Sequence, residues 1–370
     1  MYFTDDALFP ENMQPLIITA APFGPEWLPG DVEDLPVTWD EQVQAAVDCY
    51  NAGATMLHVH VRDPQTGQGS SNFDQYNDFI GRLREAVPQM ILQVGGSISF
   101  APHTEDAKAK WLDYDTRHML TELDPKPDCV TVTTGTTLWD VTMAFLPDDA
   151  KGTHLDDPKV QAAWSGMVVD SAPAFYVEHL KRLRANRIQP YFVPGHVHQL
   201  EIIERLIRTG VYLGPLNVAL CGYGGGSMGR NPFDWMEMLR RTPHGASSVT
   251  FWSSMRGNIA IQTLATILGV HVRVGIEDNL WDMNKQRWPT VKQVEWAVKT
   301  AEQFGRKVAT ADEARQIMKI GVWYDTVEET LFNLGLPPNR ADGRKGFLTY
   351  ETDGRLPKAT EARTNPTSIL

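Results

Sequence analysis

Thr38-Trp39-Asp40-Glu41-Gln42-Val43-Gln44-Ala45-Ala46-Val47-Asp48-Cys49-Tyr50-Asn51-Ala52-Gly53-Ala54-Thr55-Met56-Leu57-His58-Val59-His60-Val61 is the stretch that decides the fold. Thr38 and Glu41 stand at capping-box spacing, and Val43, Ala46, Val47 and Tyr50 recur at the period of an amphipathic helix. Gly53 stops that helix, and a β-branched, apolar run over residues 55–61 reads as a strand. The same grammar repeats along the chain. Short strand-like runs are expected at residues 16–19, 55–61, 90–94, 129–133, 190–193, 216–220, 248–252 and 271–276, separated by amphipathic stretches. Phe79, Leu83 and Val87, and later Ile202, Ile203, Leu206 and Ile207, show helical spacing before the next strand. Strands alternating with helices predict a parallel sheet, and eight such units close as an α/β fold of the (β/α)8 TIM-barrel class. The competing open, doubly wound sheet would carry Gly-x-Gly-x-x-Gly after its first strand, which is absent.

Two regions break the repeat. Residues 148–161 are polar and punctuated by glycine and proline, which places an insertion at about 148–170 inside a barrel domain of residues 1–310. Residues 311–370 are expected to be a C-terminal extension, with helical patches at 311–320 and 327–333 and then a Gly/Pro/Thr-rich tail, covering the barrel or a neighbouring subunit.

Charge and composition narrow the function. A net charge of −12 argues against a duplex nucleic-acid binder, which needs a basic face. Cys49, Cys129 and Cys221 are scattered without Cys-x-x-Cys spacing, so neither a disulfide framework nor a thiolate zinc site is indicated, and a reducing cytoplasm fits. The N-terminus lacks a signal-peptide pattern and no apolar run reaches the roughly 18 residues of a membrane span, so a soluble, unprocessed protein is expected.

The chemistry begins where the quoted strand ends, in His58-Val59-His60-Val61-Arg62-Asp63. Residues i and i+2 of a strand point the same way, so His58 and His60 can offer two imidazoles to one metal. Chance alone supplies about 0.3 such pairs in a chain with this many histidines, and His196-Val197-His198 is a second example. What distinguishes the first is its context, an apolar strand that stops in polar residues. More than two hundred residues later, Arg273-Val274-Gly275-Ile276-Glu277-Asp278-Asn279 closes the eighth strand. Odd-even alternation puts Arg273, Gly275 and Glu277 on one face, so Glu277 can be a third ligand and Asp278 a base. Three protein ligands leave a position open, as a catalytic zinc requires. The bland alternative is a pair of satisfied core histidines and a buried Arg273–Asp278 ion pair.

Three further features fall at the same barrel mouth. Cys221-Gly222-Tyr223-Gly224-Gly225-Gly226-Ser227-Met228-Gly229 with Arg230 reads either as an anion cradle built from backbone amides or as a flexible loop. Thr131, Thr133, Thr134, Thr136 and Thr137 crowd the end of the fourth strand, where hydroxyls hold a carboxylate or saturate a turn. Glu26 follows the first strand.

Ile18-Thr19-Ala20-Ala21 with Glu26, His58-Val59-His60-Val61-Arg62, Gly135-Thr136 and His271 through Asn279 together resemble the β-keto acid cleavage enzymes, in motif order and spacing over about residues 13–310. The resemblance implies a (β/α)8 barrel and a homo-oligomer, usually a tetramer. It implies zinc on His58, His60 and Glu277, and acetyl-CoA as cosubstrate. It also implies a reaction in which a β-keto acid plus acetyl-CoA gives acetoacetate plus a new acyl-CoA. On that reading Asp278 removes the C2 proton, and Arg273 holds Asp278 ionised by depressing its pKa. Glu26 and Thr136 assist, and Gly224, Gly225, Gly226 and Arg230 contribute to the CoA site.

Two departures bear on the substrate. The family commonly reads Ser-Thr-Gly-Gly after the third strand, whereas this chain has Gln93-Val94-Gly95-Gly96-Ser97, so the family serine is Gly95 or is displaced to Ser97. The fifth strand often carries glutamates that meet a cationic group, but here it runs Pro190-Tyr191-Phe192-Val193-Pro194-Gly195-His196. An uncharged or anionic side group, contacted by His196, is expected instead. Two other classes stay open: a zinc hydrolase of the amidohydrolase kind, and a metal-stabilised barrel without catalysis.

Overall fold

The computed structural model describes residues 5–96, 111–146, 148–255 and 257–339. Ser97 and the tail from residue 340 lie outside them. Eight parallel strands close into a barrel: β1 (Ile18–Ala20), β2 (Met56–Val59), β3 (Ile91–Val94), β4 (Cys129–Val132), β7 (Gln189–Phe192), β8 (Asn217–Gly222), β9 (Ser248–Ser253) and β10 (His271–Val274), with β10 beside β1. These are the eight runs read from the sequence. Two short strands, β5 (Thr137–Leu138) and β6 (Val168–Val169), form a separate antiparallel pair.

The helix expected after Thr38 spans Trp39–Asn51 with its capping box formed. It buries Ala46 and Cys49 against the barrel, while Val43, Val47 and Tyr50 are partly buried on the same core. Phe79 and Leu83 of the helix Phe73–Ala86, and Ile203, Leu206 and Ile207 of the helix Val197–Arg208, face inward in the same way. Burial of such stripes, at about 25 cal/mol per Å² of apolar surface, holds the helices to the sheet.

Register places the site. β1 joins both halves of the candidate motif: Thr19 pairs with Arg273 of β10 on one side and with Met56 of β2 on the other. His58 lies opposite Gln93 of β3. The last strand is shorter than its apolar run. Gly275 adopts φ +148°, and a Cβ there would lie 2.1 Å from the carbonyl oxygen of Ala21, so only glycine allows the chain to pass β1 and turn. Glu277 and Asp278 therefore sit in a tight turn, with the amides of Asp278 and Asn279 bonded to the Gly275 carbonyl, rather than on a continued strand face.

The interruption after β4 is larger than the polar tract. It starts at β5, carries the short helices Val141–Ala144 and Pro158–Trp164, and returns through β6. At the opposite end, residues 306–339 close the floor. Val308 bridges Leu16, the helix Ala311–Ile317 brings Ala314 into contact with the group containing Met56, Ile91 and Cys129, and Met318 joins them. Gln189 donates to the carbonyls of Lys319 and Val322, and Asn217 to that of Met318. Leu331 and Leu334, in and after the helix Val327–Asn333, join the main core. Among the described residues no helix is long and apolar enough to cross a membrane, and all three cysteines are free and buried.

Candidate active site and metal centre

His58, at the penultimate residue of β2, and His60, just beyond its end, turn their Nε2 atoms toward each other at 3.0 Å. Glu277 Oε1 lies 3.1 Å from the first and 3.8 Å from the second. All three side chains are buried, and their donor atoms fall within 4.8 Å of one another.

The proton on His58 can be assigned. Gln93 Nε2 donates to the carbonyl of Val94 and to Thr131 Oγ1, which fixes the amide orientation and leaves its Oε1 facing His58 Nδ1 at 2.5 Å. Nδ1 therefore carries a hydrogen, and Nε2 is the ring nitrogen turned toward His60 and Glu277. Burial pushes the His60 imidazole down to about 3, so it stays neutral. Glu277 Oε2 is buried without a hydrogen-bond partner. Two imidazole nitrogens and a carboxylate with an unused oxygen, gathered on one point, fit a divalent cation, and two nitrogens with one oxygen is a donor set zinc accepts.

Arg273 stands below this triad. Its Nη2 donates to Glu277 Oε1 at 2.5 Å, while Nε and Nη2 grip both oxygens of Asp278 at 2.7 and 2.8 Å. Trp252 Nε1 adds a hydrogen bond of 2.5 Å to Asp278 Oδ1, and the guanidinium lies 4.1 Å from the Trp252 ring centroid. The two carboxylates respond oppositely. At Glu277 burial alone would raise the pKa, but Arg273 and then His58 outweigh it and hold the group well below the ordinary range. At Asp278 burial outweighs Arg273, and the charge of Glu277 adds to burial, so the carboxyl is pushed up to about 6. Arg273 depresses Asp278 as expected, but complete burial is the larger effect and decides the net direction.

Glu26 lines the same cleft with Oε2 buried and unpartnered. Burial, reinforced by the charge of Glu277, raises its pKa well above the usual carboxyl value. Gly24 makes room for it: a Cβ at that position would lie 2.2 Å from Glu277 Cγ and 2.4 Å from Glu26 Oε2. From these groups the cleft runs outward past Gly95, Thr133, Trp139, Val193 and Ser227.

Residues 15–320 match the family model described as beta-keto acid cleavage enzyme. The chain belongs to the β-keto acid cleavage enzymes. Relatives carry the same kind of name. The chain is 26% identical over 298 residues to the 3-dehydrocarnitine:acetyl-CoA trimethylamine transferase of Rhizobium meliloti (strain 1021), covering 77% of this chain and 90% of that protein. It is 25% identical over 311 residues to the 3-keto-5-aminohexanoate cleavage enzyme of Acetoanaerobium sticklandii, covering 83% and 99%. Among solved structures, apo ObcA shares the fold with a TM-score of 0.58 at 15% identity, over 78% of this chain and 66% of that one. This β-keto acid cleavage enzyme is accordingly an acyltransferase that breaks a carbon–carbon bond.

Within this family member the remaining residues singled out from the sequence fall in different places. Thr136 is exposed and turned away from the cleft, with its hydroxyl bonded to Asp170 Oδ1 at 3.2 Å and to the amide of Ser171 at 3.1 Å. Gly135, at φ +89°, reverses the chain there, so Thr131, Thr133 and Thr137 line the cleft in its place. Gly224, Gly225 and Gly226 form a seam with the insertion rather than an open anion cradle. A Cβ on Gly225 would lie 2.1 Å from the Asp140 carbonyl oxygen and one on Gly226 1.9 Å from that of Leu138. The amides of Gly224, Ser227 and Met228 are bonded to the carbonyls of Met228, Gly224 and Gly195. Arg230 is engaged with Ser254 and the Ala144 carbonyl. His196 lines the cleft, but its Nε2 is committed to the Gly226 carbonyl. Gln93, Trp139 and Trp252 were not singled out from the sequence; a glutamine inside an apolar strand was the available signal for the first, and the structure sets it directly opposite His58.

Proposed function

We propose that the enzyme is zinc-dependent and condenses a β-keto acid with acetyl-CoA to release acetoacetate and a new acyl-CoA. The observation that carries this reading is the convergence of His58, His60 and Glu277 beside an Arg273–Asp278 pair at the barrel mouth. Zinc, held by those three side chains, supplies Lewis-acid polarisation of the keto and carboxylate oxygens. Asp278, ionised near neutral pH and oriented by Arg273 and Trp252, takes the proton from C2. The C2 carbanion attacks the acetyl carbonyl and CoA thiolate leaves. The thiolate then adds to the original keto carbon, the C2–C3 bond breaks with its electron pair left on C2, and Asp278 returns its proton to C2, which completes acetoacetate and restores the carboxylate.

Glu26 has the opposite duty. Burial raises its pKa and favours the protonated carboxyl, and its unpartnered Oε2 is placed to meet a substrate oxygen rather than to compete as base. Asp278 is wholly buried behind Arg273 and Trp252, both of which line the cleft, so substrate must displace one of its present hydrogen bonds to be reached. The same reading includes a homotetramer in the cytoplasm, which sedimentation of the purified enzyme and fractionation of cells test.

Acetoacetate formation from a panel of β-keto acids with acetyl-CoA tests the reaction, using native enzyme, chelated enzyme and Asp278→Asn. Metal-dependent product that disappears in the variant is expected. Ammonia or acid release without CoA would instead favour the hydrolase, and full metal occupancy without turnover of any compound would favour a non-catalytic barrel.

A further inference from the structure

We infer that the side group of the β-keto acid is uncharged and bulky, recognised by largely apolar surface without a charged anchor among the described wall residues. This deepens the reaction proposed above and rests on it. Most polar side chains that line the cleft beyond His58, His60 and Glu277 are engaged within the protein. Thr133 Oγ1 is paired with Ser171 Oγ at 2.9 Å. Thr137 Oγ1 donates to the Gly226 carbonyl at 3.0 Å, and His196 Nε2 donates to the same oxygen. Gln199 Oε1 accepts from the amides of Gly195 and His196 at 2.6 and 3.2 Å. Ser227 Oγ accepts from the Tyr223 amide at 3.0 Å and donates to the Gly224 carbonyl at 3.2 Å. Each serves the insertion seam or a turn, which leaves the buried indole N–H of Trp139, without a hydrogen-bond partner, as a neutral donor among these walls.

Charge leads to the same end. Arg273 is shared between Asp278 and Glu277, so among the described wall residues no cation is left for a second carboxylate. Glu26 and Glu277 belong to the chemistry, so no acidic wall residue is left for an ammonium group. What remains is Trp139, stacked on Tyr223 at 4.8 Å and 21°, together with Val169 and Val193. Trp252 has its face covered by the Arg273 guanidinium, which removes it as a platform for another cation.

Three isolated probes separate the cases: 5,5-dimethyl-3-oxohexanoate, its trimethylammonium isostere in which nitrogen replaces the quaternary carbon, and 3-oxoadipate. With acetyl-CoA, kcat/KM should favour the neutral compound over either charged one by about 10- to 100-fold, the penalty of burying a polar group without a partner. Quenching of tryptophan fluorescence, read without acetyl-CoA, should rank the three in the same order. Val169→Asp should raise the relative kcat/KM of the cationic probe. Preference for the trimethylammonium compound would overturn the inference and make the tryptophans a cation cage; preference for 3-oxoadipate would overturn it too. If nothing turns over while the neutral probe still binds best, the reaction fails and the side-group inference stands. If the neutral probe binds no better than the charged ones, the inference fails.

Discussion

The two ends of this barrel use polar residues in opposite ways. At the floor, Arg306 is 1% exposed and donates to the carbonyls of Gln14, Thr266, Val270 and Gly269, while His271 Nδ1 accepts the amide of Ile17. At the mouth, residues equally buried keep atoms in reserve: Glu26 Oε2 and Glu277 Oε2 have no hydrogen-bond partner, and two imidazole nitrogens face each other. Arg306 and His271 complete the backbone at the floor, where Thr55 Oγ1 and Gln189 Oε1 are unpartnered as isolated atoms, whereas at the mouth the reserve is two carboxylates and two imidazoles gathered beside one cleft. Substitutions at the two ends should therefore fail in different measurements.

The largest effect should come from the mouth. Asp278→Asn keeps the shape but removes the carboxylate proposed as base, so kcat for acetoacetate formation should fall by about 10²- to 10⁴-fold while the urea midpoint stays within the range of a surface change. An unfolded variant would show that Asp278 belongs to the structural class instead. At the floor, Arg306→Leu leaves four carbonyls without their donor, which should cost about 3 kcal/mol or more in urea unfolding. KM for the β-keto acid, measured on the folded fraction, should hardly move; a large KM change would break the division.

Gln93→Leu tests a mouth residue that acts only through another. Losing the acceptor for His58 Nδ1 should weaken metal affinity by about 10- to 100-fold in chelator competition. Nitrogen-15 spectra of the metal-free protein should show the His58 tautomer released, and unchanged spectra would remove Gln93 from the site.

The smallest effect is a pH dependence at the floor. Burial, with a smaller contribution from Arg306, holds the folded His271 imidazole well below its ordinary pKa. The unfolded chain then takes up the proton first, so stability is intact above about pH 6.5 and declines as pH falls from there toward the folded value. The slope from this group should approach about 1.4 kcal/mol per pH unit, and His271→Asn should flatten it.

The sequence made some of this legible and hid the rest for physical reasons. All eight barrel strands announced themselves because period 2 and period 3.6 alternate along the chain, and His58, His60, Glu277 and Asp278 stood out because they end strands in polar residues. What sequence spacing could not supply is where strands stop. Gly275 ends β10 through a close approach to Ala21, so odd-even counting described Glu277 with the right neighbours but the wrong backbone. Gly135 likewise reverses the chain, which takes Thr136 out of the cleft and puts Thr137 in. β5 and β6 are two residues each, too short for any alternation to show. Trp139 and Trp252 reach the cleft through contacts more than a hundred residues apart in sequence, and no local pattern marks them.

Gly95 sets what the end of the third strand can hold. A Cβ there would lie 2.2 Å from Cε1 and 2.3 Å from Nε2 of His60, closer than any side chain tolerates. Gly95→Ser made alone would therefore push the His60 imidazole away from His58 and Glu277 before any new hydroxyl could contribute. Position 95 thus resists single-step change for as long as His60 keeps its present rotamer.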